Sequence, residues 1–399
     1  MNGEALSLDW NDAGELRALA EQYGTPLMLY NGQVLSRRVA LVREAFQWNP
    51  GHRAFFPVKE VCSPEPLRLF LEAGCGLLCS NANTLQAAKL AGAGPEQLLF
   101  TACFPSQEDW DAAVQSGAAV ILDSPGQLAQ VNPRQTRTLG LRVHPEGRLR
   151  LPGTMGGRRS SKFGMTRQEI LRTAADTAKL GFSSLGLHLH AGSNLQLPGY
   201  YAAVAGFLRD LAEEVASILP VAWCDLGGGL AQSCDIVQEA ALVQQAVPGG
   251  MGIYTELGRF VAEPAGMLLT RVRGIKRQGI TTVGLDVSMA ELPRICLPGV
   301  RYSVSKPGAE QESERFTYHL AGRAMDRMDY FGGRFVLPEL QEGDLLAIHN
   351  VGINSCASAS NFDGALRCAQ VLLTEEGHRP IAPRQTQAQW LESCGFLTG

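Results

Sequence analysis

The sequence lacks the features that mark nucleic-acid-binding, membrane-spanning or secreted proteins. Its 399 residues carry 35 Lys and Arg against 39 Asp and Glu, so the positive excess that a polyanionic partner normally requires is missing. It has no uncharged apolar run of about 18 residues, and the opening MNGEALSLDW lacks the basic-then-apolar order of a signal peptide. We therefore expect a cytoplasmic protein without a nucleic-acid or membrane partner.

The ten cysteines likewise form no recognisable framework. There is no C-x-x-C pair, and Cys75 and Cys79 have no histidine partner at zinc-finger spacing. We interpret them as reduced, mostly buried thiols and expect no metal site.

What the sequence does contain is a long alternation of short apolar runs with helical patterns, from about residue 52 to 260. Eight runs that are apolar on both faces, each followed by a helix-length connection, favour a (β/α)8 TIM-like barrel over an open doubly wound sheet, which is the alternative. The predicted strands are RAFFPVK, GLLCS, QLLFTA, AAVILD, TLGLRVH, SLGLHLH, VAWCDLG and GIYTELG.

Beyond residue 265 the pattern changes to short strands separated by turn signals, which indicates a mainly β second domain. A chain of this length also exceeds what one hydrophobic core usually organises. We predict a barrel over 33–264 and a mainly β domain built from 1–32 plus 265–399.

Polar residues follow several of the predicted barrel strands, at the end where such barrels carry their functional groups. Lys59 ends the first strand, His188 and His190 end the sixth, DLGGGL (225–230) ends the seventh, and Glu256 and Arg259 in TELGRF end the eighth. These residues are expected to converge on one face of the barrel.

Each of these groups has a functional and a structural interpretation. A buried lysine that loses its charge forms a Schiff base with an aldehyde, although Lys59 would also suit a side chain that extends to the rim. Gly227, Gly228 and Gly229 let backbone N–H groups approach a phosphate, although a tight turn gives the same string.

The remaining groups complete a recognisable set. His190 and Ser193 offer a flat ring and a hydroxyl, and Glu256 would suit a protonated pyridine nitrogen or an ion pair with Arg259. An aldehyde-trapping lysine, a phosphate site, a flat ring and a buried carboxylate are together the requirements of pyridoxal 5′-phosphate (PLP), which is the predicted cofactor.

Taken together, these motifs resemble the fold-type III PLP-dependent decarboxylases, the group of the diaminopimelate, ornithine and arginine decarboxylases. The resemblance runs from about residue 15 to 373 and rests on the segments YGTPLMLY, VKEVCSPEPLRLF, SKFGM, LHLHAGSN, DLGGGL, ELGR, AGRAMDRMD and NFDG.

The resemblance implies a role for each of the singled-out residues. Lys59 would form the Schiff base and His190 would stack on the cofactor. Phosphate would be held by Ser193, Gly227, Gly228, Gly229, Arg259 and Asn354, and Glu256 would pair with the pyridine nitrogen. Such enzymes are similar in being homodimers with shared active sites, in which Asp326 would cross the interface, and Phe362 would also bind the substrate. The implied reaction passes through an external aldimine and a quinonoid and releases CO2.

The chain departs from the family pattern at the proton donor and at the phosphate site. Met325 stands where the family has the cysteine associated with protonating the carbanion, and Asn354 stands where it has a tyrosine. Arg294 aligns with the arginine that holds a distal carboxylate in the diaminopimelate type, although a surface arginine is the alternative.

These observations leave three hypotheses. The first is decarboxylation of a small-molecule α-amino acid, expected to be a diamino acid or derivative with a second polar or anionic group bound by Arg259 and Arg294, in specialised metabolism. The second is a PLP-dependent racemase or epimerase on the same fold. The third is a catalytically silent regulatory homologue.

Overall fold

The computed structural model describes residues 12–396 except 137, 150, 153–160, 248 and 298. This part of the chain forms two compact units, one of residues 36–261 and one of the residues up to 35 and from 262 onward. None of the helices within it combines the length and the apolar character needed to cross a bilayer.

The helices are numbered along the chain. Several begin at a side chain that accepts backbone N–H groups of the first turn, as Asn81, Ser106 and Thr166 do. They are α1 (Ala13–Tyr23), α2 (Gly32–Ala45), α3 (Pro64–Glu72), α4 (Ala82–Leu90), α5 (Gln107–Ser116), α6 (Arg167–Lys179), α7 (Tyr200–Ala216), α8 (Ile236–Ala246), α9 (Gly258–Ala262) and α10 (Gln387–Ser393).

The strands divide between the two units. They are β1 (Leu27–Asn31), β2 (Arg53–Pro57), β3 (Gly76–Cys79), β4 (Leu98–Ala102), β5 (Ala119–Leu122), β6 (Leu139–Arg142), β7 (Leu185–His188), β8 (Val221–Asp225), β9 (Gly252–Glu256), β10 (Gly266–Lys276), β11 (Thr281–Leu285), β12 (Ser303–Ser305), β13 (Phe316–Ala321), β14 (Tyr330–Leu337), β15 (Leu345–His349), β16 (Ala369–Thr374) and β17 (Gly377–Ala382).

Strands β2 to β9 form a closed parallel barrel, in which each strand pairs with the next and β9 pairs with β2. All eight lie within the apolar runs from which the strands were predicted. The predicted (β/α)8 barrel is therefore confirmed, and the open sheet is wrong.

Large aromatic side chains fill the middle of the barrel. Trp223 stacks on Tyr254 at 4.5 Å between ring centroids, and Phe55 packs beside Tyr254. The Trp223 indole lies against Gly140 and Gly186, where an added Cβ would come within 2.5 and 2.1 Å of it. These glycines are required because the indole occupies the space of a side chain on β6 and β7.

The other unit is mainly β, as predicted. Its sheet runs in the order β14, β13, β11, β10, β1, β16 and β17, and β15 pairs with both β10 and β12. Leucines of α1 pack on Leu27, Leu29 and Val371 of the sheet. The buried Asp286 carboxylate ties its strands together by accepting the hydroxyls of Thr25 and Thr270, each at 2.6 Å.

The cysteines are less uniformly buried than predicted. All ten are free, but only Cys75, Cys79, Cys224 and Cys368 are buried, whereas Cys62 and Cys394 are exposed. The buried thiols lie in or beside strands that face a core, which the sequence pattern alone does not separate from surface positions.

Candidate active site

The carboxyl ends of the barrel strands carry every residue that the sequence assigned to this unit. His188, Asp225 and Glu256 are the last residues of β7, β8 and β9. Lys59 lies two residues after β2 and His190 two residues after β7. Adjacent parallel strands therefore bring these side chains to one rim.

Lys59 is not buried, contrary to the prediction. Strand β2 ends at Pro57, and Val58 is the last residue of its continuous buried run, with its N–H donating to the Leu78 carbonyl at 3.0 Å. The turn that follows carries the Lys59 side chain to the exposed rim of the barrel. The structure therefore agrees with the interpretation of Lys59 as a side chain that extends to the rim.

The glycine segment after β8 makes an unusually close approach to β9. Gly227 and Gly229 have φ values of 64° and 106°, in the region that favours glycine. A Cβ on Gly228 would lie 2.2 Å from the Glu256 carbonyl oxygen. The backbone of β9 leaves no room for a side chain at this position. This agrees with the interpretation that these glycines allow the backbone to approach a neighbouring group closely.

Two of the three glycine N–H groups are already engaged. Gly227 donates to Asp225 Oδ1 at 2.8 Å, and Gly228 donates to His190 Nδ1 at 3.1 Å. Only Gly229 has an N–H without a partner among the described residues. The glycine segment therefore offers a phosphate one N–H group, not three, and neighbouring side chains would have to supply the other hydrogen bonds.

Glu256 lies between two histidine rings. Its Oε1 is 3.4 Å from His188 Nε2 and its Oε2 is 3.6 Å from His190 Nδ1. Burial alone would raise the pKa of Glu256, but the adjacent His188 holds this pKa well below its ordinary value.

Sequence reasoning gave no role to His188 and Asp225, which surround this carboxylate. Burial raises the pKa of Asp225 well above its ordinary value, and the negative charge of Glu256 adds to this effect. Burial also lowers the pKa of His188, which is only 1% exposed. The available signal was the two-residue period of a strand, which places His188 and His190 on the same side.

Ser193 and Arg259 lie at the same rim. Ser193 is exposed in the segment after β7, and Arg259 is half-buried in the short helix α9 that follows Glu256. His190 has a ring that is 31% exposed. A flat ring, a hydroxyl and a guanidinium are thus all accessible beside the glycine segment.

The other predicted residues lie in the mainly β unit. Arg294 is half-buried in a 3-10 turn, and Asn354 is half-buried with a φ of 50°. Asp326 is half-buried and accepts the Met328 N–H through Oδ1 at 2.8 Å. Arg294 is therefore neither fully buried nor simply a surface residue.

The segment around Met325 is tied to neighbouring residues by a hydrogen bond and an ion pair, but the Met325 thioether is exposed. Met325 is 92% exposed, and its N–H donates to Asp363 Oδ2 at 2.9 Å. Arg323 pairs with the buried Glu291. Phe362, which is 45% exposed, borders a cavity of about 360 Å³ together with Ser288, Arg323, Ala324, Asp363, Gly364, Ala365, Leu366 and Arg384.

The barrel residues fit PLP. Glu256 is a buried carboxylate whose Oε2 lies 3.6 Å from the partly exposed ring of His190, which suits pairing with a protonated pyridine nitrogen. The cradle at Gly228 admits no Cβ, and Lys59, His190, Ser193 and Arg259 supply the amine, ring and phosphate-binding groups around it.

Comparison with known proteins agrees with this chemistry. Residues 33–263 match the model of the pyridoxal-dependent decarboxylase pyridoxal-binding domain, and residues 220–352 match that of the pyridoxal-dependent decarboxylase C-terminal sheet domain.

Similar proteins cover nearly the whole chain. Protein TabA of Pseudomonas amygdali pv. tabaci is 29% identical over 91% of this chain and 89% of its own. Diaminopimelate decarboxylase of Deinococcus radiodurans is 28% identical over 93% and 96%. The structure of diaminopimelate decarboxylase from Helicobacter pylori complexed with L-lysine has a TM-score of 0.87 at 21% identity, and the match covers 95% of this chain and 99% of that one.

The first matched model spans more than half of the chain, and its domain is the barrel that carries the site. The chain therefore belongs to the pyridoxal-dependent decarboxylase family, and it is a PLP-dependent amino-acid decarboxylase.

Proposed function

We propose that this enzyme decarboxylates an α-amino acid that carries a second polar or anionic group, expected to be a diamino acid or a derivative of one. The observation that carries the proposal is the rim of the barrel, where an exposed lysine, a half-exposed imidazole and a buried carboxylate follow neighbouring strands. Bound PLP supplies the electron sink that accepts the electron pair released when the Cα–carboxylate bond breaks.

The chain's own residues divide the work around that cofactor. Lys59 Nζ is the amine that would join PLP covalently, and His190 would lie against the ring. Glu256 would hold the pyridine nitrogen as a cation by remaining ionised beside it. Ser193, Arg259, Asn354 and the N–H of Gly229 would bind the phosphate, with Gly227 and Gly228 providing the close approach.

The proposed substrate class rests on two charged residues of the mainly β unit. Arg294 is suited to a distal anionic group and Asp326 to a distal ammonium. Diaminopimelate decarboxylases are among the similar proteins, but Met325 in place of the family cysteine and Asn354 in place of its tyrosine favour a modified substrate in specialised metabolism. Since the Met325 thioether has no proton to give, Lys59 or water is the proposed donor to Cα.

We further propose a homodimer in which Asp326, Phe362 and Arg294 of one subunit complete the site of the other. The support is the apolar surface beside Asp326, where Met325, Met328 and Phe362 are exposed and would be covered by a partner. Mixing Lys59→Ala with Asp326→Ala protein tests this arrangement. Recovery of about one quarter of wild-type activity is expected, since half of randomly mixed dimers then hold one intact site. Two inactive variants that stay inactive in a verified mixed dimer would contradict it.

The reaction itself is tested on the purified enzyme with PLP. Borohydride reduction followed by peptide mass spectrometry is expected to find PLP on Lys59, and Lys59→Ala should lose it while the surface variant Lys89→Ala keeps it. CO2 release is then measured with diamino acids, N-acylated diamino acids and simple monoamino acids. Exchange of the Cα hydrogen for solvent deuterium with the carboxylate retained would refute decarboxylation and favour a racemase.

A further inference from the structure

Two buried groups beneath the proposed cofactor site have no role so far. His188 and Asp225 end neighbouring strands, with His188 opposite Asp225 in the register of β7 and β8. One ligand-type atom of each lies within 4.8 Å of the other and of a Glu256 oxygen, and all three residues are buried. A histidine and two carboxyl groups thus lie together in the protein interior, shielded from solvent.

This cluster cannot hold two negative charges at low cost. Two carboxylates this close in a water-poor site repel one another, so one of them keeps a proton. Asp225 Oδ1 accepts the Gly227 N–H, whereas Asp225 Oδ2 has no hydrogen-bond partner within the described structure. Burial and the neighbouring Glu256 both favour the protonated form of Asp225.

The donor that keeps Glu256 ionised is not His190. The Nδ1 atom of His190 accepts the Gly228 N–H at 3.1 Å, so it carries no proton to offer to Glu256 Oε2. The other nearby ring is that of His188, whose Nε2 lies 3.4 Å from Oε1, just beyond a normal hydrogen bond. Burial lowers the pKa of His188 and outweighs the opposing effect of Glu256, and the charged Arg142 nearby acts in the same direction as burial. The ring is therefore neutral near pH 7 and has one N–H.

We propose that His188 and Asp225 are positioning residues that leave one negative charge in this cluster and place it on Glu256. His188 holds its single proton on Nε2 and directs it at Glu256 Oε1, while Asp225 stays protonated. The proposal rests on the proposed pairing of Glu256 with the pyridine nitrogen, because an ionised Glu256 is what that pairing requires.

Three substitutions separate this role from simple packing. His188→Gln keeps an N–H donor, His188→Leu removes it, and Asp225→Asn mimics a protonated carboxyl. Titration of the apo-protein with PLP should give a dissociation constant about ten- to hundredfold higher for His188→Leu, the range for losing a hydrogen bond to a charged group. His188→Gln and Asp225→Asn should stay within about threefold of wild type. Equal binding by His188→Leu and His188→Gln, or a loss in Asp225→Asn as large as that in His188→Leu, would overturn the proposal.

A second measurement does not involve PLP or activity. Nitrogen-15 NMR of histidine-labelled apo-protein, assigned with His188→Gln, should show His188 as the neutral Nε2–H tautomer at neutral pH. A protonated ring or the Nδ1–H tautomer would overturn the proposal even if His188→Leu failed to fold. Glu256→Gln tests the underlying assignment separately, since unchanged PLP affinity in that variant refutes the pyridine pairing and not the tautomer.

Discussion

Substituting Gly228 by alanine should damage the proposed cofactor site by displacing backbone. The new Cβ would lie 2.2 Å from the Glu256 carbonyl oxygen and 3.2 Å from His190 Cε1. Ordinary contact begins at 3.4 Å, so the glycine segment and the end of β9 must separate by 3.4 − 2.2 = 1.2 Å. Because a backbone oxygen blocks the Cβ, no side-chain rotation relieves the contact.

The magnitude follows from that displacement. Overpacking of this kind costs roughly 1–3 kcal/mol of unfolding free energy. A shift of about 1 Å in groups that position a substrate lowers activity on the order of 100-fold. Gly206→Ala is the matched control, since it lies inside α7 with nothing within 4 Å of its added Cβ. That change should stabilise the protein by roughly 0.5–1 kcal/mol and leave PLP binding unaltered.

Both variants are measured as apo-protein by equilibrium urea unfolding and then by PLP titration and CO2 release. The reasoning is refuted if Gly228→Ala is no less stable than wild type and binds PLP with wild-type affinity. It is also refuted if Gly206→Ala loses PLP as Gly228→Ala does, since crowding by Glu256 would then not be the cause.

Three further changes test the fold of the two units. Gly186→Ala should lower the unfolding free energy by roughly 1–3 kcal/mol through contact with Trp223, and Trp223→Phe in the same chain should relieve it; additive effects in urea unfolding would contradict this. Burial lowers the pKa of His52 to about 4, and the charge of Arg43 contributes to this shift, so the His52 ring in the folded state resists protonation. The unfolding free energy should therefore fall by roughly 3 kcal/mol as pH drops from about 6.5 to about 4, and an equally steep fall in His52→Gln would exclude this source. Asp286→Ala leaves the buried Thr270 hydroxyl and the half-buried Thr25 hydroxyl without their acceptor and should cost about 3 kcal/mol in thermal or urea unfolding, whereas a loss below about 1 kcal/mol would show that water replaces the carboxylate.

Much of the site was predictable from the sequence because its residues lie at the ends of strands. Each apolar run locates a strand, and a polar residue just after such a run in a parallel barrel has to lie at the carboxyl rim. His190, Gly228 and Glu256 were identified in this way, and the structure brings the three into contact.

The local sequence pattern does not show how deeply each site residue is buried or which residue it hydrogen-bonds to. The burial of Lys59 was predicted incorrectly because β2 ends two residues earlier and a turn exposes the side chain. The bond from Gly228 N–H to His190 joins residues 38 positions apart, so the glycine string alone gave three available donors where the structure leaves one.

Apolar periodicity and short motifs are local properties, and they were sufficient to predict the barrel, the mainly β domain, the cofactor class and the family. The tertiary structure decided which polar atoms are already satisfied and which groups share a buried volume. His188, Asp225 and Glu256 are far apart in the chain, and their protonation depends on the few ångströms between them and on the exclusion of water. Only the closed barrel sets those distances.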